Sequence, residues 1–247
     1  MSRLRSALSS VVPNVALVVA SALLAVTLVV HAQDAGTAAP EPIVECNEQQ
    51  PQDFLVRSNF AGRGRFTPEQ LRQRRDNAEH AIRYRTETYG RFAPFGRAEW
   101  NASAPSAFAK NVRFFGLRAR LNERIIPAVK CAEREIVRVC GAFPYVPERL
   151  SGLRDHNTYR GGEVSNHVFG IALDIDPMKN TCCGCVPPWN DAPLCHQEGL
   201  TPYQRMAMPE CWVHAFEKYG FYWLGHDQLM DTMHFEFLGD PTRIVRQ

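Results

Sequence analysis

Two short segments concentrate residues able to hold a metal and move protons. The first is Ser165-Asn166-His167-Val168-Phe169-Gly170-Ile171-Ala172-Leu173-Asp174, and the second is Asp231-Thr232-Met233-His234-Phe235-Glu236-Phe237. Imidazole nitrogen and carboxylate oxygen are ordinary zinc ligands, and two histidines with one acid leave a fourth tetrahedral position for water. His167 and Asp174 are seven residues apart, so an unbroken strand would aim them to opposite faces. A bend is therefore required, and Gly170 is where the chain can make one. Beyond it, Ala172, Asp174 and Asp176 share one strand face while Leu173 and Ile175 can enter the core. In the second segment His234 and Glu236 share a face and Phe235 and Phe237 occupy the other. Asp231 must approach the same ion from the turn before that strand.

The elements that would carry these residues are punctuated clearly. Thr67-Pro68-Glu69-Gln70 reads as a helix start with a capping box, and the spacing predicts a helix to about Thr88, ended by Gly90. A second helical period runs through Leu121, Ile125, Val129, Ala132 and Ile136, with Pro127 either kinking the helix or beginning it. A third helix is expected from Pro209-Glu210 to Tyr219, closed by Gly220. Strand-like stretches fall at Phe143 to Val146, Gly170 to Ile175, Phe221 to Leu224 and His234 to Leu238. This irregular order predicts an α+β fold, a small mainly antiparallel sheet with flanking helices carrying the metal site.

Taken together, Ser-x-His-x-x-Gly-x-Ala-x-Asp at 165–174, Tyr-Gly-Phe-x-Trp at 219–223 and Asp-x-x-His-Phe-Glu at 231–236 resemble the zinc D-alanyl-D-alanine carboxypeptidase family. That family includes VanY- and VanX-type peptidoglycan peptidases and is related to phage L-alanyl-D-glutamate endolysins. The resemblance spans roughly Leu121 to Leu238. It implies that His167, Asp174 and His234 hold Zn2+ and that Asp231 is the catalytic acid/base. It further implies that Arg160 stabilises the oxyanion and contacts substrate, with Arg154 as the rival arginine. Ser165 matches a serine lining the substrate site, although it could instead cap local backbone. Trp223 is expected in the core, and His156, His196, His214 and His226 match no ligand position. Asp at position 231, where the dipeptidase type has Glu, weakens the case for free D-Ala-D-Ala as substrate.

Composition limits the function classes. The 247 residues are 45% hydrophobic and 22% charged, as in an ordinary globular chain. Residues 1–32 read as a signal peptide, with Arg3 and Arg5 before an apolar run from Val15 to Val30 and small residues at Val30 and Ala32. Cleavage there leaves 26 residues of each sign, which excludes affinity resting on bulk attraction to nucleic acid. Retained, the segment would be an inner-membrane anchor. Residues 33–56, with five acids and no base, have the composition of a flexible leader. Residues 57–110 read as a helical extension and 111–247 as the zinc peptidase domain. From Arg57 to Arg138 there are 18 bases against 8 acids, read as the wet faces of helices.

All eight cysteines follow the signal, so disulfides are expected in an oxidising compartment, with Cys46 one of the partners. Cys131 and Cys140 are close enough in sequence to pair. A zinc knuckle of Cys182, Cys183, Cys185, Cys195 and His196 is the alternative. The function expected is an exported zinc metallopeptidase, periplasmic or otherwise extracytoplasmic, acting on peptidoglycan peptides. The expected reaction is that of a D,D-carboxypeptidase. The alternatives are an L-Ala-D-Glu or cross-link endopeptidase and a catalytically silent zinc-containing wall-binding module.

Overall fold

In the first helix, α1 (Pro68–Tyr89), the Thr67 hydroxyl accepts from the Gln70 backbone N–H and the Gln70 side chain accepts from the Thr67 N–H. That reciprocal pair satisfies two of the N–H groups a helix start leaves unbonded. The computed structural model describes residues 45–58, 66–93, 95–160 and 163–246, all in one compact unit. The proposed signal and the first part of the leader lie outside the described residues. Among the described residues no helix is long and apolar enough to cross a membrane.

After α1 comes an antiparallel hairpin, β1 (Ala109–Phe114) and β2 (Leu117–Asn122). Phe115 and Gly116 both have positive φ at its tip, the backbone that matches strand twist in a two-residue turn. Val112, Phe114, Ala119 and Leu121 point inward. The predicted helical period therefore begins too early, because Leu121 belongs to a strand. Helix α2 (Ile126–Val139) starts with Pro127 in its first turn, where a missing N–H is harmless.

The central sheet is antiparallel in the order β3 (Leu150–Ser151), β4 (Ala172–Ile175), β6 (His234–Phe237), β5 (Phe221–Trp223). Its register sets Asp174 opposite His234, Ala172 opposite Glu236 and Ser151 opposite Asp174. The other face presents Leu173, Ile175, Phe235 and Phe237 to a core shared with α2 and α3 (Glu210–Glu217). There Phe216 stacks on Phe235 with ring centroids 4.3 Å apart, and Trp212 meets Phe114 edge to face. Aromatic burial of this kind dominates core energetics.

Phe143 to Val146 is not a strand. Pro144 and Pro147 lack the N–H a ladder needs, Phe143 and Val146 are exposed, and the segment is pinned instead by the Tyr145 hydroxyl donating to Asp176. The two-residue strand β3 supplies the sheet edge in its place.

Residues 45–58, despite their leader-like composition, pack against the C-terminal part of the chain. The Asn47 N–H donates to the Ile244 carbonyl, the Gln52 N–H donates to the Leu238 carbonyl, and Leu55 is fully buried. Four disulfides are formed: Cys46–Cys131, Cys140–Cys211, Cys182–Cys185 and Cys183–Cys195. No free cysteine is left among the described residues, so the zinc knuckle has no thiolates, and Cys131 and Cys140 each pair elsewhere.

Candidate metal centre

Gly170 ends the 3-10 turn Asn166–Phe169 in the left-handed region, and this reversal brings His167 back over Asp174 on β4. A side chain at Gly170 would also crowd the backbone of Asn122. The β4–β6 register then adds His234 from the neighbouring strand. His167 Nε2 lies 3.1 Å from Asp174 Oδ1 and 3.2 Å from His234 Nδ1, and His234 Nδ1 lies 2.8 Å from Asp174 Oδ1. All three residues are buried. The His/His/Asp triad is a donor set able to coordinate a metal ion and suits Zn2+.

The remaining atom of each donor is held by a different partner. His167 Nδ1 lies 2.6 Å from the Gly152 carbonyl oxygen, an acceptor only, so Nδ1 carries the proton and Nε2 offers its lone pair. His234 Nε2 lies 3.2 Å from Glu236 Oε1, which leaves Nδ1 for the ion. Asp174 Oδ2 accepts from the Ser151 hydroxyl at 3.1 Å and from the Arg154 guanidinium. Such outer partners fix ring orientation and ligand basicity.

The electrostatics suit a cation. Burial opposes ionisation of Asp174, yet the adjacent His167 and His234 hold its carboxyl well below the usual range. Glu236 is lowered in the same way, with His234, Arg85 and Asn166 outweighing burial. Asp231 behaves oppositely. Burial dominates there and, with the charge of Asp174 adding to it, outweighs the pull of His234 and Arg154 and pushes the carboxyl up to about 7. Its Oδ1 is buried and has no hydrogen-bond partner. An unpartnered buried acceptor that feels the charges of His234 and Asp174 fits a site that works on a water and a metal.

Asp231 is held from the cysteine-rich segment. Cys182 bridges to it in antiparallel fashion, and the Thr232 N–H and hydroxyl both donate to the Thr181 carbonyl. Gly184 lies so close to Gln228 and Leu229 that a Cβ there would meet their backbone. The cysteine-rich segment thus fixes the turn that carries Asp231.

The two candidate arginines occupy different environments. Arg160 is exposed, while the half-buried Arg154 bonds Asp174 and acts electrostatically on Asp231. Ser165 is fully buried, and its hydroxyl accepts from the His167 N–H as the cap of the 3-10 turn. Its place is that of a local cap. Asp176 turns away from the metal face toward Tyr145, Glu148 and Arg149. Trp223 is in the core, its indole N–H donating to the Thr232 carbonyl. His156, His196, His214 and His226 are exposed.

Sequence reasoning missed Tyr159, Asn166 and Arg85. Burial and the charges of Glu236, Asp231 and Asp174 push the Tyr159 phenol far up, which places it near the donors and keeps it protonated. Only its position just before Arg160 could have drawn attention to it.

Residues 159–237 match the family model described as D-alanyl-D-alanine carboxypeptidase. No curated protein and no solved structure matches the chain. The matched stretch contains the whole His167/Asp174/His234 triad, so the chain carries the zinc-peptidase signature of the VanY- and VanX-type family. With the geometry above, this is a zinc metallopeptidase active site of the peptidoglycan-peptidase kind.

Proposed function

We propose that the protein is an exported zinc peptidase that hydrolyses peptidoglycan stem peptides as a D-alanyl-D-alanine carboxypeptidase. One observation carries this reading: the unpartnered Asp231 Oδ1 accompanies a complete donor triad inside the stretch matched by the carboxypeptidase model. A site kept only to brace the fold has no use for a buried carboxyl oxygen without a partner, which costs stability. This argues against a catalytically silent wall-binding module.

Bound zinc would supply Lewis acidity toward the scissile carbonyl and a water acidic enough to be deprotonated at neutral pH. Three residues of the chain would hold it: His167 through Nε2, His234 through Nδ1 and Asp174 through Oδ1. Asp231, held up to about 7, takes a proton from the attacking water at Oδ1 and returns it to the leaving amine. Arg154, anchored on Asp174, has further N–H donors for the charge that develops on the scissile carbonyl oxygen. That is the role motif order assigns to Arg160, which on this reading serves the approaching substrate from the exposed loop.

Export follows from the reading of residues 1–32 as a signal, and the complete pairing of the described cysteines fits an oxidising compartment. Sequencing the N-terminus of the mature protein distinguishes cleavage after Ala32 from retention as an anchor.

The decisive experiment is mass spectrometry of purified muropeptides incubated with the enzyme, with and without a chelator. Chelator-sensitive loss of one terminal alanine is the expected result. Separation of the stem at L-Ala-D-Glu or at a cross-link would replace the carboxypeptidase reading with an endopeptidase one. Bound zinc with no change in any muropeptide would leave the silent module.

A further inference from the structure

Helix α1 lies outside the stretch matched by the family model, yet it sends one charged side chain to the back of the metal centre. Arg85 is 1% exposed. Its Nε donates to Asn166 Oδ1 at 2.8 Å, and Asn166 Nδ2 donates to Glu236 Oε2 at 2.5 Å. Glu236 Oε1 lies 3.2 Å from His234 Nε2. The direction of every bond is fixed by chemistry. A guanidinium can only donate and an ionised carboxylate can only accept, so the Asn166 amide has a single satisfactory orientation and His234 must present an Nε2–H.

We propose that Arg85 is a positioning residue for the metal ligand His234, acting through Asn166 and Glu236. The inference rests on the zinc reading of the triad and extends it to an element outside the family match. A metal on His234 Nδ1 would offset the buried Glu236 carboxylate only from the far side of the ring, and the neutral imidazole adds no charge of its own. Arg85 does, and burial, which lowers its pKa to about 10 against the pull of Glu236, leaves it charged at neutral pH. The guanidinium is itself held from behind, with Nη1 donating to the Ser58 hydroxyl at 3.0 Å and Nη2 to the Leu55 carbonyl at 3.1 Å. The N-terminal segment, α1 and the metal face are joined by one buried hydrogen-bonded path. Loss of an outer partner of a metal-bound histidine typically weakens metal binding by about 10-fold to 100-fold.

The alternative is that Arg85 only fastens residues 55–58 to α1. The two roles separate when zinc affinity, read by competition with a chromogenic chelator, is measured beside melting temperature. The set comprises the wild type, Arg85→Met, Arg85→Lys, Ser58→Ala, Glu236→Gln and the Arg85→Met/Glu236→Gln pair. Positioning predicts about 10-fold weaker zinc binding for Arg85→Met and a partial loss for Arg85→Lys, which keeps the charge but not the planar fork. Ser58→Ala, which removes one anchor behind the guanidinium and leaves its bond to Asn166, should weaken zinc binding less than Arg85→Met does. The double variant should bind zinc no more weakly than Glu236→Gln alone, because both act on one path. Wild-type affinity in folded Arg85→Met, or losses that multiply in the pair, would overturn the proposal. If Arg85→Met does not fold, Arg85→Lys carries the same test, with unchanged zinc affinity counting against positioning. A wild-type chain that binds no zinc would instead overturn the metal reading, and this inference with it.

Discussion

The carbonyl oxygen of Gly152 lies 2.6 Å from His167 Nδ1, and this one bond decides which nitrogen of the ring faces Asp174 and His234. Gly152 can deliver it because it has no side chain: a Cβ there would run into the Arg120 carbonyl oxygen and the Leu121 side chain. The neighbouring Leu153 N–H donates to that same Arg120 carbonyl, so the segment has little room to withdraw. Gly152→Ala should cost about 1 to 3 kcal/mol of stability through overpacking. It should also weaken zinc binding by about 10-fold through the displaced acceptor. Denaturant unfolding and zinc titration of the same preparation check both, and unchanged zinc affinity in a destabilised variant would detach Gly152 from the site.

Ligand and proton carrier should separate on mutation. Asp231→Asn is expected to keep its zinc while turnover falls by about 100-fold or more, because the amide cannot carry a proton. His234→Ala is expected to lose zinc, since two remaining protein ligands are too few for a tight catalytic site. Circular dichroism is the necessary control, as His234 sits between Met233 and Phe235 in a buried strand. A folded Asn variant without zinc would make Asp231 a ligand. One with full activity would move attention to another proton carrier, and Glu236 is then the next carboxylate to test.

What could be read from the sequence follows from how local each determinant is. The triad was legible because its spacing, the bend at Gly170 and the alternation Phe235/Phe237 against His234/Glu236 are all short-range patterns. The β1–β2 hairpin was not, since Leu121 falls in phase with the helical residues that follow it and Arg113, Arg118 and Arg120 hide the alternation. Seeing that Arg154 reaches Asp174 requires the β3–β4 pairing, which sets Ser151 opposite Asp174 and brings the following residues to that carboxylate. The pairing rests on a strand of two residues, too short to leave a pattern. Arg85 was invisible for a similar reason: an arginine in a polar, arginine-rich helix looks like a wet face until Asn166, 81 residues away, is folded against it.

The two arginines can be told apart by turnover. Arg154→Lys should weaken zinc binding by no more than about 10-fold and, at saturating zinc, lose about 100-fold in kcat, because lysine cannot span Asp174 and the developing oxyanion with one planar group. Arg160→Ala should change kcat by less than about 3-fold and express itself, if at all, in KM, as a loss of uniform binding does. Steady-state kinetics on one muropeptide suffice. The reverse ranking would restore the oxyanion role to Arg160, as the motif order has it.

Away from the site, Glu135 on α2 ties that helix to the end of α3. Its carboxylate accepts from Arg138 at 2.6 and 2.8 Å and from Lys218 at 2.9 Å. The bond from Arg138, helped by Lys218 and opposed by burial, lowers Glu135 from 4.5 to about 2. A carboxyl depressed in the folded state adds stability that is complete above its unfolded value and lost as pH falls through the folded one. The window for this group therefore runs from about 4.5 down to about 2. At pH 7 Glu135→Gln should be less stable by about 1 kcal/mol, a modest figure because Arg138 is exposed and screened by water. The gap between the two proteins should narrow steadily below pH 4.5 and close near pH 2, and added salt should shrink it at neutral pH. Urea titrations at pH 7, 4 and 2.5 follow it directly. A gap that stays constant across this range would assign the effect to packing of the side chain rather than to its charge.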